Sequence, residues 1–253
     1  MKFYADHFSR VAPAYASWRP SYPAELFAYL FHVCRNHRLA WDCAAGSGQA
    51  SVPLTRGFER VVATDISPAM LASAPRHPKI EYRVAPAEHS GLSSASADLI
   101  TVAQALHWLE PDPFFTEARR VLRPGGALAA WTYGVQQVGE REIDRILQRF
   151  YHDVVGPYWP PERRHVETGY RELPFPFREL EPPDFAMQAE WTLSQLLGYV
   201  GTWSATQRFR EVRGDDPLVE LGRELERYWG PPSAVRTVRW PLSLRVGYNE
   251  VDA

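Results

Sequence analysis

The sequence predicts an α/β fold in which helices cover both faces of a mostly parallel sheet. Three observations support this prediction: short apolar runs alternate with helical patterns up to residue 133, a glycine turn follows the first run, and the second run ends in Asp65. Strands that alternate with helices through right-handed crossovers form a parallel sheet, and its ligand crevice lies at the carboxyl ends of the strands. We therefore expect a ligand site at that edge.

Five strands and three helices are predicted in this alternating part of the chain. The strands are expected at 39–43, 61–64, 80–84, 98–103 and 127–133, and the helices at 49–56, 68–74 and 113–122. Ser67 followed by Pro68 is typical of a helix N-terminus, since serine caps free amide groups and proline fits the first turn. The run Arg123-Pro124-Gly125-Gly126 is expected to end the third helix.

The glycine turn after the first strand indicates a nucleoside cofactor. Asp42 precedes Gly46 and Gly48, and Asp65 ends the next strand, where a carboxylate can accept both hydroxyls of a ribose. Dinucleotide sites carry a third glycine three residues later, and here that position is Ser51. Asp42 would repel a pyrophosphate but attract a positively charged amino acid or sulfonium, which favours S-adenosylmethionine.

Three alternatives remain open from these residues alone. The turn could join a strand to a helix without any ligand, the site could belong to a nicotinamide-dependent oxidoreductase, or the protein could bind its cofactor without turnover. The missing third glycine weighs against the oxidoreductase.

Composition narrows the function classes further. The chain has 253 residues, of which 45% are hydrophobic and 23% charged, so it can bury the core of one large domain. A formal net charge of −2 disfavours nucleic acid as a partner. Two cysteines are too few for a disulfide framework, and no metal site is expected. We find neither a signal peptide nor a long apolar run, and therefore expect a cytoplasmic protein that does not enter the membrane.

The regular alternation of strands and helices ends after residue 133. A helix is predicted at 139–151, and the stretch 156–183, rich in proline and aromatic residues, is expected to cap the substrate side of the crevice. A strand at 185–191, helices at 193–212 and 217–228, and a last strand at 238–248 follow. The predicted single domain thus comprises an N-terminal lid (1–37), a cofactor-binding core (38–135), a cap (136–184) and a final part (185–253).

Several segments resemble one enzyme family. They are Tyr-Ala-Ser-Trp-Arg-Pro-Ser-Tyr-Pro at 15–23, the glycine turn at 41–50, Ala-Gln-Ala-Leu-His-Trp-Leu at 103–109, the run at 120–126, and Thr-Trp-Ser at 202–204. Together they resemble the class I S-adenosylmethionine-dependent methyltransferases, in particular the trans-aconitate methyltransferase-like branch that modifies small molecules. The resemblance implies a Rossmann-like sheet of seven strands whose last strand is antiparallel to the others.

The resemblance also implies roles for residues of the cofactor site. Asp42, Gly46 and Gly48 match the motif that holds the methionine part, Asp65 matches the acid that binds ribose, and Ile66 matches the apolar residue that packs on adenine.

Two positions depart from the family pattern. Relatives often place an acidic residue where this chain has Pro86, so the backbone of Ala87 and Glu88 is expected to contact adenine instead. Relatives often have a further glycine in the loop where this chain has Ala44 and Ala45, and alanine is expected to adopt ordinary dihedral angles at these positions.

The acceptor is expected next to the segment after the fourth strand. Gln104 is a candidate for binding the cofactor or the acceptor, His107 for binding a carboxylate or removing a proton, and Trp108 for lining the methyl channel. Equally, His107 could cap a helix and Trp108 could belong to the core.

The aromatic N-terminal segment is predicted to form a helical lid over the cofactor, with Tyr15, Arg19 and Tyr22 as contacts; the alternative is packing on the sheet. The predicted reaction is in-line methyl transfer to an oxygen of a small molecule, favouring a carboxylate, which is ionised near neutral pH and needs no strong base. The alternative is transfer to a nitrogen or carbon of a small metabolite.

Overall fold

A computed structural model describes residues 20–250, and within them the chain forms one mixed sheet with helices on both faces. Five strands alternate with helices in the first half. They are β1 (Leu39–Cys43), β2 (Arg60–Asp65), β3 (Ile80–Val84), β4 (Ala97–Ala103) and β5 (Leu122–Tyr133). They pair in parallel in the order β3-β2-β1-β4-β5. The predicted parallel sheet is confirmed.

Beyond β5, the sheet continues with a strand that runs antiparallel to the first five. β8 (Arg236–Tyr248) pairs with β5 through residues 242–248. On the opposite side of β8 lie β6 (Arg178–Glu179) and β7 (Phe185–Trp191), end to end and both antiparallel to it. Because β6 and β7 share one position, the sheet has seven positions with a reversed last strand, as the family resemblance implied.

The helices follow the predicted order with shifted ends. They span Ala24–Val33, Ser51–Leu54, Pro68–Ala72, Pro111–Val121, Arg141–Arg149, Arg163–Glu167, Leu193–Gly201, Ser204–Arg213 and Leu218–Trp229. Short 3-10 turns span Leu106–Trp108 and Gly156–Tyr158, and a π turn spans Phe150–Val154. The Ser67 side chain accepts the Met70 amide, so the predicted cap is confirmed.

Beyond these small shifts, two predicted elements differ more clearly from the structure. The single helix expected at 193–212 is broken at Thr202 and Trp203, where Trp203 takes an extended conformation and its side chain is buried among aromatic rings. β5 begins at Leu122 rather than at 127, because the pairing register shifts between Ala97 and Leu99 and leaves room for Gly125 at φ 74°.

Two hydrophobic cores lie on the two faces of the sheet. Alternate residues of β5 separate between them, since successive side chains of a strand point to opposite faces. Trp131 and Tyr133 enter the larger core, which the C-terminal helices cover, whereas Leu128 and Ala130 enter the smaller core. The carboxyl ends of β1, β2, β4 and β5 are therefore supported from both sides.

Within residues 20–250, no helix combines the length and the apolar character needed to cross a membrane. No group of three or more metal-ligating side chains occurs in the same residues.

Candidate functional site

A cavity of about 710 Å³ lies at the carboxyl edge of the sheet. The loops after β1, β2, β3 and β4 and the end of β5 form its walls, which is the predicted ligand edge. Its size lies within the range of about 300–1,000 Å³ for small-molecule sites. The predicted site residues that line it are Tyr22, Gly46, Asp65, Ile66, Ala87, Glu88, Gln104 and Trp108.

The loop after β1 contains left-handed backbone at three positions. Gly46 and Gly48 have φ values of 55° and 77°, and Ala44 has a φ of 55°. The expectation of ordinary dihedral angles at Ala44 is therefore wrong. Hydrogen bonds stabilise the turn, since the Ala45 amide donates to the Thr64 carbonyl and the Gly48 amide to the Ala45 carbonyl, both at 2.9 Å. The surrounding structure thus stabilises a conformation that alanine rarely adopts.

Both glycines of the turn lie where side chains would meet neighbours. A Cβ at position 48 would lie 2.9 Å from the Tyr82 hydroxyl, and one at position 46 would lie 3.3 Å from Met70 Cε. Gly46 lines the cavity, but Gly48 does not. The two glycines therefore act differently, Gly46 by exposing backbone to a ligand and Gly48 by shaping the turn.

Asp65, at the end of β2, is an oriented acid that lines the cavity. The Gly46 amide donates to its Oδ2 at 2.8 Å and the Ser67 amide donates to its Oδ1 at 2.8 Å. Each oxygen of a carboxylate can accept more than one hydrogen bond, so both oxygens retain capacity for a ligand. The turn and the acid therefore stabilise each other, and the carboxylate is held in place before a ligand binds.

Asp42 lies behind the turn rather than in it. It belongs to β1, is fully buried and does not line the cavity. Its Oδ2 accepts the Ser51 hydroxyl at 2.5 Å and its Oδ1 accepts the Thr101 hydroxyl at 2.8 Å. Burial raises the pKa of Asp42 to about 6. The acid connects β1 to β4 and to the helix after the glycine turn, and it lies behind the residues that line the cavity.

Next to Asp65 in the chain, Ile66 lines the cavity with an apolar side chain that is 49% exposed. Pro86, Ala87 and Glu88, which follow β3, line the same cavity. Single exposed apolar side chains are common on protein surfaces, but Ile66 lies in the wall of a cavity. It therefore offers an apolar surface on which a flat ring can pack.

Gln104 lies at the end of β4 in a left-handed conformation, with a φ of 55°. Its Oε1 accepts the Thr132 hydroxyl at 2.5 Å and the Tyr133 amide at 3.0 Å, and its Nε2 donates to the Tyr133 carbonyl at 3.2 Å. These bonds tie β4 to β5 and use all but one of the amide's donors and acceptors. Gln104 lines the cavity with one N–H left for a ligand.

His107 and Trp108 share a 3-10 turn but differ in position. Trp108 lines the cavity, whereas His107 is 8% exposed, does not line it, and has Nδ1 2.9 Å from the Tyr170 hydroxyl. Burial, and then the positive charges of Arg163 and His165, lower the pKa of His107 to about 3. The histidine is thus neutral near neutral pH and packs behind Trp108, with 4.6 Å between the ring centroids.

Of the predicted lid residues, Tyr15 and Arg19 lie outside the described residues. Tyr22 lines the cavity and packs edge-on against Trp131, with ring centroids 5.4 Å apart. The lining also includes residues that the sequence analysis did not name as site residues, among them Met70, Glu110 and Tyr133. Glu110 directly follows the segment 103–109 and Tyr133 ends a strand, so their positions in the sequence were the available signals.

The residues present fit an adenosine-containing cofactor. An oriented carboxylate faces the cavity beside an exposed isoleucine, and a glycine of the adjoining turn, where a side chain would meet Met70, presents bare backbone. The cavity walls include three acids, Asp65, Glu88 and Glu110, and no lysine or arginine among the described residues. This charge suits a ligand that carries a sulfonium and an ammonium group.

Comparison with known proteins identifies the family. The model of the methyltransferase domain family matches residues 41–130, which include β2, β3, β4 and most of β1 and β5. A Dictyostelium discoideum protein described as a methyltransferase is 32% identical over 223 residues, which cover 87% of this chain and 85% of that protein.

Two further similar proteins support the same family. An uncharacterized methyltransferase of Mycobacterium tuberculosis is 32% identical over 73% of this chain and 70% of its own length. A solved structure described as that of a type II methyltransferase from Anaeromyxobacter dehalogenans is 46% identical, superposes with a TM-score of 0.87, and is matched over 92% of this chain and 99% of that chain. The chain therefore belongs to the class I S-adenosylmethionine-dependent methyltransferases.

Proposed function

We propose that this enzyme transfers a methyl group from S-adenosylmethionine to an oxygen of a small molecule, in the manner of the trans-aconitate methyltransferase-like branch. The observation that carries the proposal is the cavity of about 710 Å³, in which Asp65 is oriented before any ligand binds. A cavity of this size suits a small acceptor rather than a macromolecule.

The cofactor would be held by the residues that surround this acid. We assign the ribose to Asp65, the adenine to Ile66 and to the backbone of Ala87 and Glu88, and the methionine part to the turn that contains Gly46. Gly48 and Asp42 act on that turn from behind, one through its backbone conformation and the other through buried hydrogen bonds. When bound, the cofactor supplies an electrophilic methyl group on a positively charged sulfur.

A carboxylate is the proposed acceptor because it needs no base from the protein. Carboxylates are ionised near pH 7, and His107, whose ring packs on Trp108 of the cavity wall, is neutral and a weak base in this environment. The protein's part is then to align the acceptor and to exclude water, and such positioning can contribute about 7–11 kcal/mol. Trp108 and Tyr133 line the cavity and Gln104 retains one N–H there, so these residues would orient the acceptor.

His107 stays a candidate acceptor residue from the sequence analysis, and its position suggests how it would act. Because its ring packs against Trp108 and lies beside Tyr170, it would act through the position of Trp108 rather than as a base. Tyr15 and Arg19 likewise stay proposed cofactor contacts, from the part of the chain outside the described residues.

The test is transfer of a labelled methyl group to three panels: carboxylic acids, beginning with trans-aconitate, then alcohols and phenols, then amines. We expect label in base-labile methyl esters, and no label with the Asp65→Ala variant. Label only in phenol or alcohol ethers would keep oxygen transfer but contradict the carboxylate. Cofactor binding without label in any panel would indicate a binding module without turnover.

Transfer to nitrogen is the second candidate, favoured by the charge of the cavity. Its described walls contain three acids and no basic side chain, which attracts cations, and Glu110 could accept a proton from an amine. Labelled amines whose formation falls at least about tenfold in a Glu110→Gln variant would support this alternative.

A further inference from the structure

Behind the cavity wall, one buried hydroxyl contacts the supports of two lining residues. Tyr170 is fully buried, and its hydroxyl lies 2.9 Å from His107 Nδ1 and hydrogen bonds with the side chain of Thr132. His107 packs on Trp108, and the Thr132 hydroxyl donates to Gln104 Oε1 at 2.5 Å. Trp108 and Gln104 both line the cavity. A single hydroxyl group therefore supports both of them from behind.

The Tyr170 hydroxyl also meets the backbone of the turn that carries Trp108. Burial raises the pKa of Tyr170, and hydrogen bonds with Thr132 and with the backbone of Leu106 and His107 act against this rise. Leu106 and His107 are the first two residues of the 3-10 turn that ends at Trp108. Backbone amides can only donate, so the Tyr170 oxygen is an acceptor at the start of this turn.

The chemistry of the groups fixes the direction of the hydrogen bonds at Gln104. Its Oε1 accepts the Tyr133 amide at 3.0 Å as well as the Thr132 hydroxyl. Because a backbone amide can only donate, the atom of Gln104 that faces it is the oxygen, and this oxygen can only accept. The single proton of the Thr132 hydroxyl is therefore used on Gln104. The Thr132 oxygen is left to accept the proton of Tyr170.

The tautomer of His107 follows from the same count of protons. Burial lowers the pKa of His107 to about 3, so near neutral pH only one ring nitrogen carries a proton. If Tyr170 donated to His107, no proton would lie between Tyr170 and Thr132. Both contacts of the hydroxyl are satisfied only when Tyr170 donates to Thr132 and accepts from His107 Nδ1. The neutral ring is then the tautomer with its proton on Nδ1.

The backbone around Tyr170 is fixed to the sheet. Tyr170 has a left-handed φ of 66°, and its amide donates to the His165 carbonyl at 2.7 Å. Nη1 of Arg245 donates to the carbonyls of Tyr170 at 2.8 Å and of Leu173 at 2.7 Å, and Arg245 belongs to β8. Non-glycine residues keep this conformation where the surrounding structure holds them. The hydroxyl is therefore held at a fixed place behind the cavity wall.

We propose that Tyr170 is a positioning residue for the methyl acceptor and sets the Gln104 amide and the Trp108 ring through one directed chain of hydrogen bonds. The chain runs from His107 Nδ1–H to Tyr170, from Tyr170 to Thr132, and from Thr132 to Gln104. It holds the Gln104 oxygen on β5, so that this side chain offers the acceptor an N–H rather than an oxygen. The inference rests on the proposed function, in which Gln104 and Trp108 orient the acceptor.

The first test is the tautomer of His107, read from ¹⁵N NMR spectra of the histidine rings in the labelled, full-length protein. We expect the proton on Nδ1, and His107→Gln identifies the signals of this ring. Thr132→Val removes the group that accepts from Tyr170, so the Tyr170 proton should turn to Nδ1 and the ring proton should move to Nε2. A proton on Nε2 in the unchanged protein, or the same tautomer in Thr132→Val, overturns the proposal.

The second test is Tyr170→Phe, which removes only the hydroxyl. The NMR signals of the Gln104 amide and the Trp108 indole should shift. The KM for the best labelled acceptor should rise at least about tenfold with a smaller fall in kcat, while the affinity for S-adenosylhomocysteine, measured by calorimetry, changes less than about twofold. Tyr151→Phe is the matched control, because Tyr151 is also buried and its hydroxyl contacts Glu167 instead.

Unchanged signals or an unchanged KM in Tyr170→Phe, or equal effects in Tyr151→Phe, overturn the proposal. Loss of S-adenosylhomocysteine binding in Tyr170→Phe also overturns it, because the residue would then support the fold as a whole. If circular dichroism shows that Tyr170→Phe is unfolded, the tautomer in Thr132→Val decides. An unchanged protein that labels no acceptor contradicts the proposed function instead, and the tautomer still tests the hydrogen-bond chain.

Discussion

The two parts of the described chain, residues 20–130 and residues 131–250, treat their polar side chains in different ways. In the first part, the carboxylates of Asp42 and Asp65 each accept two hydrogen bonds from the protein itself. In the second part, Gln136 and Trp159 keep buried side-chain donors or acceptors without a partner among the described residues. The difference teaches that the acid in the cavity wall is held in place by the chain itself, whereas the second part leaves some of its buried polar side chains unsatisfied.

Residues 20–130 and residues 131–250 also differ in where non-glycine residues with a left-handed backbone conformation lie. Ala44, in the glycine turn, and Gln104, at the end of β4, both have a φ of 55° and both line the cavity, and the strain is stabilised by neighbouring hydrogen bonds. In the second part, Tyr170 has a left-handed conformation, with a φ of 66°, and does not line the cavity; its hydroxyl contacts His107. Residues in this conformation cost about 1–3 kcal/mol each and commonly mark functional sites.

The largest expected effect tests whether the preorganised acid binds the cofactor. Asp65→Ala should weaken S-adenosylmethionine binding by roughly 1.5–3 kcal/mol, the usual contribution of hydrogen bonds to a charged group. Calorimetric titration measures it, with the exposed Asp184→Ala as a control for lost charge. Unchanged affinity in a folded Asp65→Ala variant would contradict the ribose assignment.

The next effect concerns the shape of the turn. Gly48→Ala should lower the free energy of unfolding by about 1–3 kcal/mol, because position 48 has a left-handed backbone and its Cβ would lie 2.9 Å from the Tyr82 hydroxyl. Gly125→Ala is the matched control, with a similar φ of 74° and no atom within 4 Å of its Cβ. Urea unfolding of both should show a larger loss for Gly48→Ala; equal losses would mean that backbone strain alone matters.

The third prediction distinguishes two roles of His107: a neutral ring that positions the acceptor, or a general base that removes a proton. His107→Ala should leave cofactor affinity nearly unchanged and raise the KM for the acceptor, since the ring packs on Trp108. A fall of about 10²–10⁴-fold in kcat at constant KM would instead support a general base. Steady-state kinetics with a melting curve for the variant decides between them, and normal kinetics with a lower Tm would make the residue structural.

The same histidine predicts a pH dependence of stability. Its pKa in the folded protein, about 3, lies below the ordinary value of 6.5, so the unfolded chain binds the proton more readily. Its contribution to stability is therefore present above pH 6.5 and lost as the pH falls from there towards 3. His107→Gln should flatten this part of the stability curve, measured by urea unfolding; an unchanged curve would contradict the buried, neutral ring.

The smallest expected effect is at Ala44. Ala44→Gly should raise the free energy of unfolding by less than about 1 kcal/mol, because the relief of left-handed strain, roughly 1–2 kcal/mol, is partly offset by the extra entropy of glycine in the unfolded chain. Urea midpoints measure the change. A decrease in stability would show that the turn holds alanine without strain.

Much of the fold and of the cofactor wall was predictable from local patterns. Apolar runs, the Ser67 cap and the glycine turn are all encoded within a few residues, and each indicated the element that the structure contains. Family membership, and with it the cofactor, agrees with the motif that includes Asp42 and Asp65. These features were accessible because backbone propensity and short-range hydrogen bonds depend on neighbours in sequence.

By itself, the sequence determined the order of strands and helices and the acid and glycines of the cofactor turn, because these depend on contacts close along the chain. Only the tertiary structure decided which predicted residues reach the cavity. Asp42 accepts a hydrogen bond from Thr101, 59 residues away, and His107 lies beside Tyr170, 63 residues away. Contacts of such separation form only when the sheet is assembled and the segment 136–184 packs on it, so no local pattern reveals them.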